Sequence, residues 1–400
     1  MDATGVTELN EFLVLDAVRS AGELTRPELG ERLGLSQASV SRIVKRLLAD
    51  DVITEYAGKT EGPGRNRAIL RFNARAGAVL AVDLGGTKCH GALADLAGEI
   101  LDEDYRRTFE HPEAADTLLA SIASLRAAAD RAGLPVRAVA VGIPALLDPD
   151  TGLAVAGPNL GWDGFDLTGV LKSALAEPFT VDNDVNLAAL GQAWRGEGRG
   201  ASSFVTLSLG TGIGGAVVLD GRVVRGRHNA AGEIGYLLSA PGELRRGTGG
   251  PALESRAAGP AIAARARELA AQDPSGTVLD PAGATGADVF AAAAAGDPVA
   301  AAVLDETVEY VAMAIANITA VLDPQRVILD GSVGRALEPY VPRIAELVGR
   351  STFAAPEVVV SRLGPNATVV GAIAGALALE RRSTTPAALS FAAGIPSLES

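Results

Sequence analysis

The chain of 400 residues has a single cysteine, Cys89, and only three histidines. A lone cysteine excludes an internal disulfide and any zinc site built from several thiolates. Long apolar runs are missing too: Val311 to Leu322 is the best candidate, and it falls short of the roughly 18 residues that a membrane span needs. The first residues carry Asp2, Glu8 and Glu11 instead of a basic stretch, so no signal peptide is expected and a cytoplasmic protein is the default. No internal repeat points to a solenoid. What is present, 48% hydrophobic and 21% charged residues, is the composition of a folded chain with a sizeable core, with length for about two to four domains.

The net charge of −13 is unevenly placed. Residues 1–75 hold 11 basic and 11 acidic side chains, so the remainder of the chain carries the whole excess. Within that first segment, residues 42–75 contain 8 basic and 4 acidic side chains. A small basic patch on an acidic protein suggests that this end alone meets a polyanion.

Local signals there predict three helices. Leu9, Phe12, Leu13, Leu15, Ala17 and Val18 give the first an apolar face, which Gly22 ends. Thr25 and Glu28 form a capping box for the second, which stops at Gly34. Ser36 caps a third, running to about Asp50, with Val40, Ile43, Val44, Leu47 and Leu48 facing inward. Its other face shows Gln37, Ser39, Ser41, Arg42, Lys45 and Arg46. Short helices joined at a Gly-Leu turn, the later one polar and basic, describe a helix-turn-helix. Gln37 and Arg42 reach toward base edges, while Ser39 and Ser41 let the backbone approach the groove. A hairpin follows, Val52–Tyr56 and Ala68–Phe72, with Arg65 and Arg67 at or near its tip as a wing for phosphates or a minor groove. The competing reading is a plain three-helix interaction module, which leaves the basic wing without a purpose.

From Val79 the texture becomes glycine-rich. A buried strand ends at Asp83 and turns through Leu84-Gly-Gly-Thr-Lys88, and a second strand–turn–strand follows at Phe204 to Gly215. Glycine turns of this kind expose backbone N–H groups to phosphate, or simply join strands. Between them, Phe179 to Asn186 delivers Asn183 and Asp184 at the start of a helix. A carboxylate there suits a general base toward a sugar hydroxyl, or merely caps the helix.

Taken in order, Asp83-Leu-Gly-Gly-Thr-Lys88, Gly157-Pro-Asn-Leu160, Asn183-Asp184, Gly210-Thr-Gly-Ile-Gly-Gly215 and Ala231-Gly-Glu-Ile-Gly235 resemble the ROK family of repressors and sugar kinases over roughly residues 9–380. The resemblance implies an α/β fold: an N-terminal winged helix-turn-helix, as in the repressor branch, plus a two-lobed actin-like ATPase (sugar kinase) body. The expected division is 1–75 for the DNA-binding domain, 76–185 and 186–380 for the two lobes, and 381–400 for a disordered tail. The family's sugar ligands fall on Asn159, Asn183, Asp184 and Glu233, with Asp184 as the kinases' base, and Glu254 matches a further sugar-binding glutamate. Asp83, Gly85, Gly86, Thr87 and Lys88 match one phosphate loop, and Gly210, Thr211, Gly212 and Gly214 the other. Two departures stand out. Tyr236 replaces a histidine that binds zinc and touches sugar, and Leu244 to Leu253 replaces a cysteine-rich zinc loop, so no metal is expected. Asp330 also puts a carboxylate near the expected adenine pocket.

The expectation is therefore a regulator, most simply a repressor, whose body senses a sugar or sugar phosphate and whose winged helix reads operator double-stranded DNA as a homodimer or homotetramer. No cofactor is required. The alternative is an ATP- and Mg²⁺-dependent sugar kinase with a DNA-binding appendage. The rest is quieter: a Pro/Gly-rich linker over 273–286 and an alanine-rich helix over 287–316.

Overall fold

Side-chain caps define the N-terminal domain before any long-range contact does. The computed structural model describes residues 3–58, 67–246, 250–272 and 276–383. Helix α1 spans Ala3–Ala21 and is followed by a short strand, β1 (Glu23–Thr25). Helix α2 (Arg26–Leu33) opens on the expected capping box, in which the backbone N–H of Thr25 donates to the Glu28 carboxylate at 2.7 Å. Gly34, at φ 66°, ends it in the left-handed conformation that glycine adopts without strain. Ser36 caps α3 (Gln37–Ala49) by accepting from the N–H of Ser39. Val40, Ile43, Val44 and Leu47 are buried against Val14, Val18 and Leu29, while Leu48 is half-buried. Strands β2 (Ile53–Gly58) and β3 (Arg67–Phe72) make the hairpin, and β1 joins β3 on its other edge. That third strand has too few residues to show an alternating pattern in sequence. Arg65 lies outside the described residues.

The body repeats one topology. The first lobe contains β4 (Ala78–Leu84), β5 (Lys88–Asp95), β6 (Ile100–Arg107), α4 (Ala114–Arg131), β7 (Val136–Ile143), the small pair β8 (Leu146–Leu147) and β9 (Ala154–Val155), α5 (Leu167–Ala174) and β10 (Phe179–Asn183); α6 (Asp184–Arg195) follows and bridges the lobes, its Leu187 buried with the first sheet and its Ala189 with Phe204 and Ala216 of the second. Its sheet runs in the order β10-β7-β4-β5-β6, parallel on the β7 side of β4 and antiparallel on the β5 side. The second lobe contains β11 (Phe204–Leu209), β12 (Ile213–Leu219), β13 (Arg222–Val224), α7 (Pro241–Arg246), α8 (Glu254–Ala257), α9 (Gly259–Gln272), α10 (Gly286–Ala294), α11 (Pro298–Leu322), β14 (Arg326–Asp330), α12 (Gly331–Ala336), α13 (Val341–Ser351) and β15 (Glu357–Val360). Its sheet, β13-β12-β11-β14-β15, has the same order and the same directions. Every residue of β4 is buried, because α4 covers one face of its sheet and the last helix among the described residues the other.

Two expectations change. The alanine-rich helix is two helices, broken at Gly296 (φ 89°) and restarted by Asp297, whose carboxylate accepts from the N–H groups of Val299 and Ala300. Helix α14 (Ala367–Ser383), the last among the described residues, does not pack on the second-lobe sheet as the expected division implies: it packs on α6 and on β4 and β7 of the first lobe. It includes Arg381 and Arg382, where a disordered tail was expected to begin; residues 384–400 lie outside the described residues. Its fit against α6 depends on glycine. A Cβ at Gly371 would overlap the carbonyl oxygen of Leu187, and one at Gly191 that of Ala367. Among the described residues no single helix is long and apolar enough to cross a membrane.

Candidate functional site

Helix α6 starts between the two lobes. The backbone of Asp184 lies against Gly142 of β7, and the side chain of Val185 against Gly214 of β12. Asn183 is the residue that caps the helix, accepting from the N–H of Val185 at 3.0 Å, and Asp184 is the first helical residue. Its carboxylate also takes the Val185 N–H, at 2.9 Å. Capping therefore does not require Asp184.

Around this point the fold gathers carboxylates. Asp83, at the end of β4, is buried, and burial pushes its carboxyl up to about 6 against the pull of Lys88. Asp184 is pushed up to about 7, by burial first and then by the charges of Asp83 and Glu233. Glu233 is raised by burial and by Glu254. The four acids thus form one electrostatically linked group, although they come from β4, α6, the turn before Tyr236 and α8. A ligand that donates several hydroxyl hydrogen bonds suits such a group, because it satisfies carboxylates that water reaches poorly.

The two glycine turns flank these acids. In the first, Gly85 N–H donates to Lys88 O at 2.8 Å, and Thr87 and Lys88 are exposed. Asn159 is exposed beside this turn, and a Cβ at Gly86 would sit 3.0 Å from its side chain. In the second, Gly210 N–H donates to Gly212 O at 2.9 Å, with Thr211 exposed at the tip. Glu254 is tied to this turn: it accepts the Ile213 N–H at 2.8 Å, and a Cβ at Gly212 would lie 2.7 Å from its carboxylate. Next to it opens a cavity of about 670 Å³ whose lining includes Thr211, Tyr236, Glu243, Glu254 and Arg256. Tyr236 is exposed there.

Asp330 is turned into the protein. It is buried, accepting from Gly331 N–H at 2.7 Å and pairing with Arg335 at 3.3 Å. Burial raises its carboxyl. The carboxylate expected near an adenine pocket is held at the start of α12 by these partners.

Sequence reading missed the contacts that join the lobes. Asn229 Nδ2 donates to Leu147 O at 2.8 Å, Arg227 pairs with Asp150 at 2.9 Å, and Arg225 Nε with Asp182 at 3.2 Å. Each pair is distant in sequence, and no local pattern marks it.

The described residues expected to face DNA lie on α3 and β3. Gln37, Ser41, Arg42 and Lys45 are exposed on α3 and Ser39 is half-buried, with its hydroxyl 2.9 Å from that of Ser36. Arg67 is exposed at the start of β3.

A family model described as ROK family matches residues 79–380, and one described as MarR family matches residues 4–65. The chain is 25% identical to the xylose repressor of Caldicellulosiruptor bescii over 383 residues, covering 93% of this chain and 96% of that protein. The crystal structure of a ROK family transcriptional regulator, a homologue of the E. coli MLC protein, matches with a TM-score of 0.78 at 25% identity, over 96% of this chain and 97% of that one. A ROK family glucokinase from Streptomyces griseus, in complex with glucose and AMPPNP, matches with a TM-score of 0.64 at 26% identity, over 75% of this chain and 99% of that one.

Proposed function

Because the chain belongs to the ROK family and carries a MarR-type winged helix, we propose that it is a sugar-responsive transcriptional repressor of carbohydrate-metabolism genes. The observation that carries this reading is the union, in one chain, of a capped recognition helix with a free polar face and a body that converges four carboxylates between its lobes. In this reading Gln37 and Arg42 contact base edges, and Lys45, Arg67 and Arg65 contact phosphates. Asn159, Asn183, Asp184 and Glu233 take the hydroxyls of a sugar or sugar phosphate. Tyr236 adds a hydroxyl donor, and Glu254 holds the second glycine turn against α8. A two-fold operator calls for a homodimer or a homotetramer, acting in the cytoplasm.

One observation favours a second reading, a sugar kinase. Asp184, pushed up to about 7, suits a general base near neutral pH. The glycine turns suit a phosphate-bearing ligand, because turns of this kind present backbone N–H groups, and Thr87, Lys88 and Thr211 are exposed on them. Asp83, Thr87, Lys88 and the Gly210–Gly212 turn would hold ATP with Mg²⁺. Bound ATP supplies a transferable phosphoryl group.

Zinc does not fit. Tyr236 stands where the family has a histidine, and residues 237–253 contain no cysteine or histidine. Among the described residues no group of three or more His, Cys, Asp or Glu side chains could hold a metal ion. Glu243 organises that segment instead: it accepts from Ser239 N–H at 2.6 Å, Ser239 Oγ at 2.9 Å and Ala240 N–H at 3.1 Å, and pairs with Arg256 of α8 at 3.6 Å.

A thermal-shift screen of sugars, sugar phosphates and ATP tests the effector assignment. A ligand at 100 times its Kd stabilises by about 2.7 kcal/mol. Silence across all sugars and sugar phosphates would remove the sensor reading, and sugar-dependent ATP turnover within the ~1–100 s⁻¹ of kinases would favour the second one.

A further inference from the structure

We infer that α14 couples the start of α6 to the DNA-binding domain, with the Arg19–Glu380 ion pair as its outlet. The inference rests on the reading above, in which the body binds sugar and the winged helix binds DNA.

Contacts at three levels of α14 carry it. Near its start, the Thr368 hydroxyl donates to the carbonyl oxygen of Asp184 at 3.3 Å, and its methyl group closes on Gly142 of β7. Along its middle, α14 meets α6 backbone to backbone at Gly371 and Gly191. No side chain lies between the two helices at those points to absorb a displacement, so a tilt of α6 moves α14 with it. Near its end, about 18 Å along the helix, Glu380 accepts from both terminal nitrogens of Arg19 of α1, at 3.2 and 3.5 Å. The two side chains are 11% and 8% exposed. A pair so withdrawn from water has little freedom to re-form elsewhere. Arg19 also lies over the Phe72 ring, 4.2 Å from its centroid, and Phe72 packs against both the winged-helix core and the first-lobe core. The two states are therefore a winged helix docked with the pair made and one released with the pair broken. A ligand that repositions Asp184 biases that choice, and DNA biases α6 in return.

The test uses the full chain, a duplex that it selects from a random-sequence pool, and D-xylose and D-glucose as sugar probes. Glu380→Gln and the neutral pair Arg19→Gln/Glu380→Gln keep side-chain size, and the second avoids a lone buried charge should the first fail to fold. Both variants should bind sugar within about twofold of wild type, while the factor by which sugar weakens duplex binding falls at least about fivefold. Hydrogen exchange gives an arm that needs no sugar: the duplex should change protection over residues 184–191 in wild type and leave it unchanged in the variants. A full sugar response in the folded variants, or a duplex effect on α6 that survives them, overturns the coupling. If neither sugar binds but the duplex effect on α6 is present in wild type and lost in the variants, the sugar reading fails and the coupling stands. A wild type showing neither response overturns both.

Discussion

Replacing Asp184 by asparagine is expected to stabilise the ligand-free protein, and to do so more strongly as the pH rises. The Asp184 carboxyl moves from an ordinary 3.8 to about 7 on folding, chiefly through burial. The folded state therefore holds the proton more tightly than the unfolded state. Its contribution to stability is complete below about pH 4 and is lost as the pH climbs through 7. At about 1.36 kcal/mol per pH unit, the whole loss is about 4 kcal/mol. By pH 5.5 the unfolded carboxyl is already ionised and the folded one is not, so about half of that loss has accrued. The remaining ~2 kcal/mol accrues between pH 5.5 and 8. Asparagine does not titrate and can still accept the Val185 N–H. Asp83 also sits high, at about 6, but it is present in both proteins and so does not distinguish them. Urea unfolding of wild type and Asp184→Asn at pH 5.5, 7 and 8 should show the variant's advantage widening by about 2 kcal/mol. A gap that stays flat with pH, or a wild type more stable at pH 8, would refute the placement of Asp184 in a poorly hydrated, like-charged group.

Three further outcomes are expected. Arg42→Ala should lose about 1–3 kcal/mol of discrimination at one base position, whereas Arg67→Ala should weaken all duplexes alike and lower the salt slope by about one; binding titrations at several salt concentrations separate the two. Gly371→Ala should destabilise by about 1–3 kcal/mol or more, despite the ~1 kcal/mol that alanine gains over glycine in a helix, because its Cβ overlaps the Leu187 carbonyl; a chemical melt showing net stabilisation would contradict the tight α6–α14 contact. Extensive dialysis against a chelator should leave both the melting temperature and the sugar affinity unchanged, and loss of either on stripping zinc would show that a metal braces the segment now assigned to Glu243 and Arg256.

Legibility in the sequence followed the range of the interaction. The capping box at Thr25 and Glu28, the Ser36 cap and the left-handed Gly34 are set by residues at most a few positions apart, and each stands where the pattern put it. The two strand–glycine–strand turns were equally local. The convergence of Asp83, Asp184, Glu233 and Glu254 was reachable only through the family resemblance, because no spacing along the chain brings β4, α6 and α8 together. For Asp330 only the position was legible, because its burial depends on Arg335 and the surrounding core. The Arg19–Glu380 pair joins residues 361 positions apart, and neither end carries a local mark. No helix is singled out at α14 from the sequence, and only packing reveals that it lies on the first lobe.

The most direct test of the account is a fluorescence-anisotropy titration of the selected duplex with the full chain, run with and without D-xylose, D-glucose and their phosphates, on wild type and Asp184→Asn. Release of wild type from the duplex by one of these sugars, at a concentration that Asp184→Asn shifts while its sugar-free duplex affinity stays the same, is the expected result. A chain that binds no duplex from the pool, or one that binds it equally tightly at every concentration of every sugar and sugar phosphate tried, would contradict a sugar-responsive repressor.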